Sequence, residues 1–295
     1  MNTRALPIAV ASRWRAYAEL TKPRVVALML FTALAGMLLA THAAVPWRVL
    51  VFGLVGIGLM AGAAAAVNHL VDARADALMA RTRARPLPRG VLRRAEVAGF
   101  AALTGAAGLA LLLAFTNPLC AALTLASLVG YAFVYSVVLK PRTPQNIVIG
   151  GAAGATPPLL GWVAVSGQLD ANALALFLII LTWTPPHFWA LAIHRRADYA
   201  RAGVPMLPVT HGVAFTARRI AAYTALLGGV SVLPVATGLA GPLYLASAAV
   251  LDARFAWLAW RLCGDERWAM PTFRYSIVYL AALFAALLVD HWWRV

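Results

Sequence analysis

Residues 49–67 read VLVFGLVGIGLMAGAAAAV, and the chain then continues Asn68-His69-Leu70-Val71-Asp72-Ala73-Arg74-Ala75-Asp76. The first part carries no charge over 19 residues, about what a helix needs to cross the ~30 Å hydrocarbon core of a bilayer. If the helix continues past Val67, then Asn68, Asp72 and Asp76 fall at i, i+4 and i+8 and share one face. Two carboxylates and an amide oxygen one turn apart make a hard-oxygen surface suited to Mg2+, which binds few carboxylates and completes its shell with water and substrate phosphates. The plainer reading is a solvated helix end whose charges pair among themselves. Against it, like charges at i, i+4 repel unless a cation lies between them, and the whole chain has only 10 acidic residues.

Composition extends this membrane reading to the whole chain. Of 295 residues, 62% are hydrophobic and 12% charged, with a mean hydropathy of +0.79; a soluble domain carries about 25% charged residues. A soluble fold is excluded. The net charge of +15 does not indicate nucleic acid, because the basic residues lie in short segments between apolar runs, where they set membrane orientation. Cys120 and Cys263 are far apart and have neither pairing nor metal-ligand spacing. The segment from Met1 to Arg24 lacks the apolar core of a cleavable signal.

Nine apolar stretches are expected as spans: Val25–Ala40, Val49–Val67, Val97–Phe115, Leu119–Leu139, Ile147–Ser166, Ala171–Ile193, Ile220–Thr237, Leu243–Leu262 and Tyr275–Val289. The expectation is therefore an all-α, polytopic chain forming a single transmembrane domain over residues 1–295. With the N-terminus inside, 22 of the 25 basic residues fall on the cytoplasmic side, as the positive-inside rule requires. Two long polar loops, Asn68–Glu96 and His194–Arg219, lie on that side and are where function is expected. They contain similar elements, Arg85-Pro86-Leu87-Pro88 and Val204-Pro205-Met206-Leu207-Pro208, a hint that the two loops face one cavity.

The first loop continues into Arg81, Arg83 and Arg85, and guanidinium groups pair bidentately with phosphate oxygens. Carboxylates for a metal and arginines for an anion, at a membrane surface, suit a lipid diphosphate. The sixth span carries Trp183-Thr184-Pro185-Pro186-His187-Phe188-Trp189, where two prolines are expected to break the helix against protein or a wet cavity. His187 there is either a satisfied structural histidine, a contact to haem iron or ring edge, or a general base. In the second loop Asp198 sits among Arg195, Arg196 and Arg201 and next to Tyr199; it is a further metal ligand or an ion-pair partner. Lys22-Pro23-Arg24 and Lys140-Pro141-Arg142 read partly as orientation signals. Asn146 stands at a span entrance as a cavity group, Pro157-Pro158 marks another break, and Asp252 and Arg254 lie inside the eighth span without an evident partner.

Together these residues resemble the UbiA-type intramembrane prenyltransferases, and within them the branch that farnesylates haem. The resemblance runs through Leu20-Thr21-Lys22-Pro23-Arg24, Asn68 to Asp76, Arg81 to Pro88, Lys140 to Gly154, Trp183 to Trp189 and Asp198 to Pro208, nearly the full chain. The Thr-Pro-Gln-Asn segment at 143–146 and Pro-Pro-His-Phe-Trp at 185–189 point to the haem branch. It implies helices around a central cavity, farnesyl diphosphate as donor, haem b as acceptor, Mg2+ as cofactor and the bacterial inner membrane as location. Asn68, Asp72, Asp76 and Asp198 would serve metal and catalysis. Arg81, Arg85, Lys140, Arg142, Arg195 and Arg196 would hold diphosphate, and His187, Asn146, Trp183 and Tyr199 the haem cavity. Association with haem A synthase or oxidase assembly factors is implied by the same resemblance. One departure stands out: the family's second motif carries two acids four residues apart, whereas Ala202 follows Asp198 at that interval. Prenylation of a quinone precursor, a transporter and a non-catalytic haem-binding subunit are the alternatives; acids clustered at one face speak against transport.

Overall fold

The computed structural model describes residues 6–79 and 82–293, with side chains from residue 13 onward. Every regular element among them is helical. In chain order these are α1 (Leu6–Leu20), α2 (Pro23–Leu39), α3 (Trp47–Leu78), α4 (Arg94–Phe115), α5 (Pro118–Arg142), α6 (Asn146–Ser166) and α7 (Ala171–His194). The short α8 (Arg196–Arg201) and α9 (Leu207–Thr210) follow, then α10 (Val213–Ala236), α11 (Pro242–Gly264) and α12 (Glu266–Trp293).

Seven helices have the length and apolarity to cross a membrane, and the bent pair of α1 and α2 makes an eighth. The ninth expected span lies within α11, which has 23 residues but carries Asp252 and Arg254 near its middle, which lower its apolarity. Exposed tryptophans flank the bundle, Trp14 and Trp260 towards the loop end and Trp47 and Trp293 towards the other. Their amphipathic rings suit the two membrane–water interfaces.

Several helices outrun the hydropathy that located them. α3 has 32 residues, about 48 Å of helix against ~30 Å of hydrocarbon. Its last three turns therefore leave the lipid as helix and carry the stripe from Asn68 to Asp76. Likewise α10 begins at Val213, not Ile220, so Arg218 and Arg219 stand on a helix and not in the second loop. Hydropathy finds where lipid ends, not where hydrogen bonding does.

The proline pairs behave differently from each other. At Pro157-Pro158 the chain is interrupted, α6 consisting of Asn146–Ala155 and Pro157–Ser166 around Thr156. Pro185 and Pro186, expected to break the sixth span, instead lie inside a continuous α7. Pro185 and Pro186 leave the carbonyls of Leu181 and Thr182 without their N–H donors, and of these two residues Thr182 is buried and Leu181 half-buried.

Glycines set the closest helix contacts. A Cβ on Gly161 would stand 1.9 Å from the Ala33 carbonyl oxygen, and one on Gly36 would stand 2.0 Å from that of Pro158. The second half of α6 thus lies backbone to backbone on α2, as small residues permit in membranes. At the loop end, Ala16 and Leu20 of α1 pack with Ala66 of α3 and Leu92 and Val97 around the start of α4. Met79, where the first loop begins, packs in one cluster with Tyr199, Val204, Met206 and Leu207. The two polar loops meet.

Candidate active site

The helical continuation of α3 puts Asn68, Asp72 and Asp76 in a row, buried at 2%, 7% and 3% exposure. Each is engaged by a cation from elsewhere in the chain. Lys22 Nζ donates to Asn68 Oδ1 at 2.6 Å, Lys140 Nζ to Asp72 Oδ2 at 2.5 Å, and Arg85 Nη1 to Asp76 Oδ2 at 2.6 Å. Asn68 Nδ2 donates both to Asp72 Oδ2 at 2.8 Å and to Ser136 Oγ at 3.0 Å. Thr82 Oγ1 donates to the Asp76 carbonyl at 3.1 Å, folding the first loop back onto the helix end.

Two local irregularities bring these cations in. Lys22 has φ 52° and ψ 59° and stands before Pro23, at the 45° bend between α1 and α2. A left-handed conformation is unfavourable for any residue with a Cβ, and such outliers persist where surrounding structure holds them, often at functional sites. On the other side, α5 runs as a π-helix over Gly130–Leu139, a form concentrated at functional sites. It carries Tyr131, Tyr135 and Ser136 and ends at Lys140. Tyr131 Oη lies 3.4 Å from Lys22 Nζ, and the Tyr135 ring packs where Gly150 leaves room.

This donor set fits a divalent cation. Asp72 Oδ1 and Asp76 Oδ1 accept no hydrogen bond from the described residues, while Lys140 and Arg85 steady the other oxygen of each carboxylate. Among the described residues no three His, Cys, Asp or Glu side chains converge as a metal cluster, so substrate oxygens and water would complete the shell. Asp198 is buried on α8 and held by Arg201 and, at 3.8 Å, by Arg195. Arg142 and Arg196 are exposed and make no ion pair among the described residues. Arg81 lies outside the described residues.

Beside the stripe opens an apolar cavity of about 580 Å³. Lys22, Tyr131 and Tyr135 stand at its polar end, and Met29, Met60, Leu128 and Leu280 line its depth. Trp183 and His187 of α7 both face it, stacked with ring centroids 4.3 Å apart. Ser276 fixes them from α12: its hydroxyl lies 2.7 Å from His187 Nδ1, and its carbonyl accepts from Trp183 Nε1 at 2.7 Å. His187 Nε2 has no hydrogen-bond partner among the described residues. Asn146 does not line this cavity; it is fully buried, with Nδ2 donating to the Thr143 carbonyl at 2.8 Å. Tyr199 is buried in the cluster joining the two loops.

The sequence reading treated Lys22 partly as an orientation signal and passed over Tyr131 and Ser136. No local pattern marks the two α5 residues. For Lys22 the only cue is a basic residue wedged before a proline at the head of the first span.

Comparison with known proteins agrees with this architecture. The model of the UbiA prenyltransferase family matches residues 29–283. A protoheme IX farnesyltransferase of Azotobacter vinelandii is 63% identical over 281 residues, covering 95% of this chain and 94% of that protein. One of Stutzerimonas stutzeri is 61% identical over the same shares. Among solved structures, a digeranylgeranylglyceryl phosphate synthase superposes with a TM-score of 0.80 at 19% identity, over 95% of this chain and 99% of that one. A UbiA homologue from Archaeoglobus fulgidus bound to GPP and Mg2+ gives 0.62 at 17% identity, over 92% and 99%. The chain belongs to the UbiA prenyltransferase family.

Proposed function

We propose that this chain transfers a farnesyl group from farnesyl diphosphate to a vinyl group of haem b, with addition of water, giving haem O and diphosphate. The observation that carries the reading is the stripe of buried, cation-clamped carboxylates, Asp72 and Asp76, joined through Asn68 to Lys22, which lines the same apolar cavity as His187. The relatives named as protoheme IX farnesyltransferases support the choice of substrates.

Asp72 and Asp76, with Asn68 beside them, would hold Mg2+, which would supply positive charge to the leaving diphosphate. The chain adds fixed charge of its own: Lys140, Arg85 and Lys22 are already oriented by the stripe, so they need no reorganisation as negative charge develops on the leaving oxygen. Arg142, Arg195 and Arg196 extend this basic surface around the loops, and Arg81 is assigned to the diphosphate on its place in the motif alone. Asp198, through its ion pairs, positions Arg195 and Arg201. As the C1–O bond breaks, its electron pair leaves with diphosphate. The apolar wall from Met29 to Leu280 keeps water from the allylic cation, so the vinyl CH2 attacks C1. Water then adds to the cation left next to the porphyrin ring and loses a proton. His187, backed by Ser276 and stacked on Trp183, contacts the haem through Nε2.

The positive-inside pattern supports a cytoplasmic N-terminus and cytoplasmic loops, in a protein of the bacterial inner membrane. Association with haem A synthase or oxidase assembly factors accords with such a product. Purified protein in detergent, given haem b, farnesyl diphosphate and Mg2+, should yield a product heavier than haem by one farnesyl group and one hydroxyl group. A product formed only with a hydroxybenzoate would overturn the acceptor assignment. Full turnover by a folded Asp72→Ala variant would overturn the site.

A further inference from the structure

A second hollow, of about 460 Å³, opens at the loop end of the bundle, lined by Arg15, Glu19, Lys22, Arg24, His69 and Arg85 among others. Asp72 and Asp76 do not line it. Its wall therefore carries four cations against one acid, on the α1–α2 side of the carboxylate stripe. Lys22 and Arg85 already have acceptors in Asn68 and Asp76. Arg15 and Arg24 are exposed and make no ion pair among the described residues.

His69 is the feature that needs a ligand. Its side chain is buried, at 1% exposure, yet neither Nδ1 nor Nε2 has a hydrogen-bond partner among the described residues. Buried polar groups in folded proteins are almost always satisfied, and an exception calls for an explanation. An imidazole N–H at the edge of a cationic hollow lacks only an acceptor oxygen.

The hollow and the apolar cavity share Lys22, Arg24 and Val25, so they adjoin. We propose that the hollow anchors the propionate carboxylates of the porphyrin acceptor, with Arg15 and Arg24 as ion-pair partners and His69 as the buried donor. The proposal rests on haem being the acceptor. Haem b carries its two propionates at one edge and its two vinyl groups at the far side of the ring. Carboxylates are too costly to bury in the apolar cavity, whereas guanidinium groups match them bidentately. Held at the hollow, the propionate edge leaves the vinyl edge to enter the cavity, where the farnesyl chain and His187 are placed. The hollow thus sets which edge of the acceptor meets the donor, and Lys22 and Arg85, which line it while holding Asn68 and Asp76, join it to the diphosphate side.

The test is an absorbance titration of haem b and of its propionate dimethyl ester into the purified full chain, without donor. Arg24→Gln and His69→Leu should each weaken haem b binding by about tenfold or more, the scale of a lost charge-assisted hydrogen bond. Binding of the ester should differ from wild type by less than about twofold, since it lacks the charge that these groups recognise. Arg24→Lys and His69→Asn should recover part of the loss, which misfolding would not allow. In turnover, KM for haem should rise and KM for farnesyl diphosphate should not. Equal wild-type affinity for acid and ester, or a rise confined to KM for farnesyl diphosphate, would overturn the proposal. Wild-type protein that binds neither porphyrin would overturn the acceptor assignment and this site with it. Acid-selective binding without farnesyl transfer would uphold the site and sink the catalytic reading.

Discussion

Lys140 Nζ donates to Asp72 Oδ2 at 2.5 Å across 68 residues of sequence, and the same oxygen accepts from Asn68 Nδ2. One carboxylate oxygen is thus saturated by the protein while the other, Oδ1, accepts no hydrogen bond from the described residues. Lys140 fixes the carboxylate's plane as well as supplying charge. Asp72→Ala should lower kcat by more than Lys140→Ala, because it removes a proposed metal ligand along with the ion pair. For Lys140→Ala a loss on the order of 10²–10³ in kcat is expected, as for removal of one preorganised stabilising group. Steady-state kinetics of the two single variants and the double variant check this. Losses that simply multiply would show that the two side chains act independently, against the structure.

Lys22 joins a backbone requirement to a side-chain role, and the two can be separated. Its φ of 52° disfavours any L residue, whereas glycine takes this conformation without penalty. Lys22→Gly should therefore be more stable than Lys22→Ala by about 1–2 kcal/mol, although both lose the amine that reaches Asn68. Thermal unfolding in detergent should rank the two variants in that order, while turnover falls in both. Equal stability would mean that the bend between α1 and α2 does not depend on this conformation.

Legibility in the sequence followed physical range. The stripe of Asn68, Asp72 and Asp76 was readable because it is a property of one helix, period 3.6, just past an apolar run. Seven or eight of the nine expected spans were readable because hydropathy reports lipid contact, and their ends were not, because α3 and α10 continue as helix past the apolar runs. Lys22, Tyr131 and Ser136 were hidden. Lys22 and Ser136 reach Asn68 from 46 and 68 residues away and Tyr131 meets Lys22 from 109, and the two α5 residues do so from a π-helical segment that no residue type announces. The effect of Pro185-Pro186 was misjudged for a related reason: whether a proline pair breaks a helix depends on what covers the freed carbonyls, and here Thr182 is buried and Leu181 half-buried.

The contact between α2 and the second half of α6 tolerates no side chain at two positions. A Cβ at Gly161 would overlap the Ala33 carbonyl, and one at Gly36 the Pro158 carbonyl. Both obstacles are backbone, so whole helices must separate. Gly161→Ala or Gly36→Ala should each cost about 1–3 kcal/mol, the range for overpacking a core. Gly154→Ala, with nothing within 4 Å of the added carbon, should be neutral or slightly stabilising. A detergent thermal shift in which all three variants unfold together would contradict this packing.

Asp252, unexplained by its position in an apolar stretch, has clear partners in the fold. Tyr279 Oη donates to its Oδ1 at 2.6 Å and Ser231 Oγ to its Oδ2 at 2.7 Å. Tyr244 Oη donates to the Ser231 carbonyl at 2.7 Å, where α10 is interrupted between Val230 and Leu233 ahead of Pro234. Arg254, two residues on, lies over the Tyr275 ring at 5.2 Å. The network joins α10, α11 and α12 at the point where one helix loses its own hydrogen bonds. Asp252 is accordingly assigned to the fold and not to the chemistry. Asp252→Ala strands two hydroxyls and should cost about 1–3 kcal/mol, whereas Asp252→Asn keeps an acceptor for one of them and should cost less. Farnesyl transfer at low temperature should survive in both variants, with inactivation on heating arriving earlier in the alanine form. Loss of turnover in a folded Asp252→Asn protein would move this carboxylate into the catalytic machinery instead.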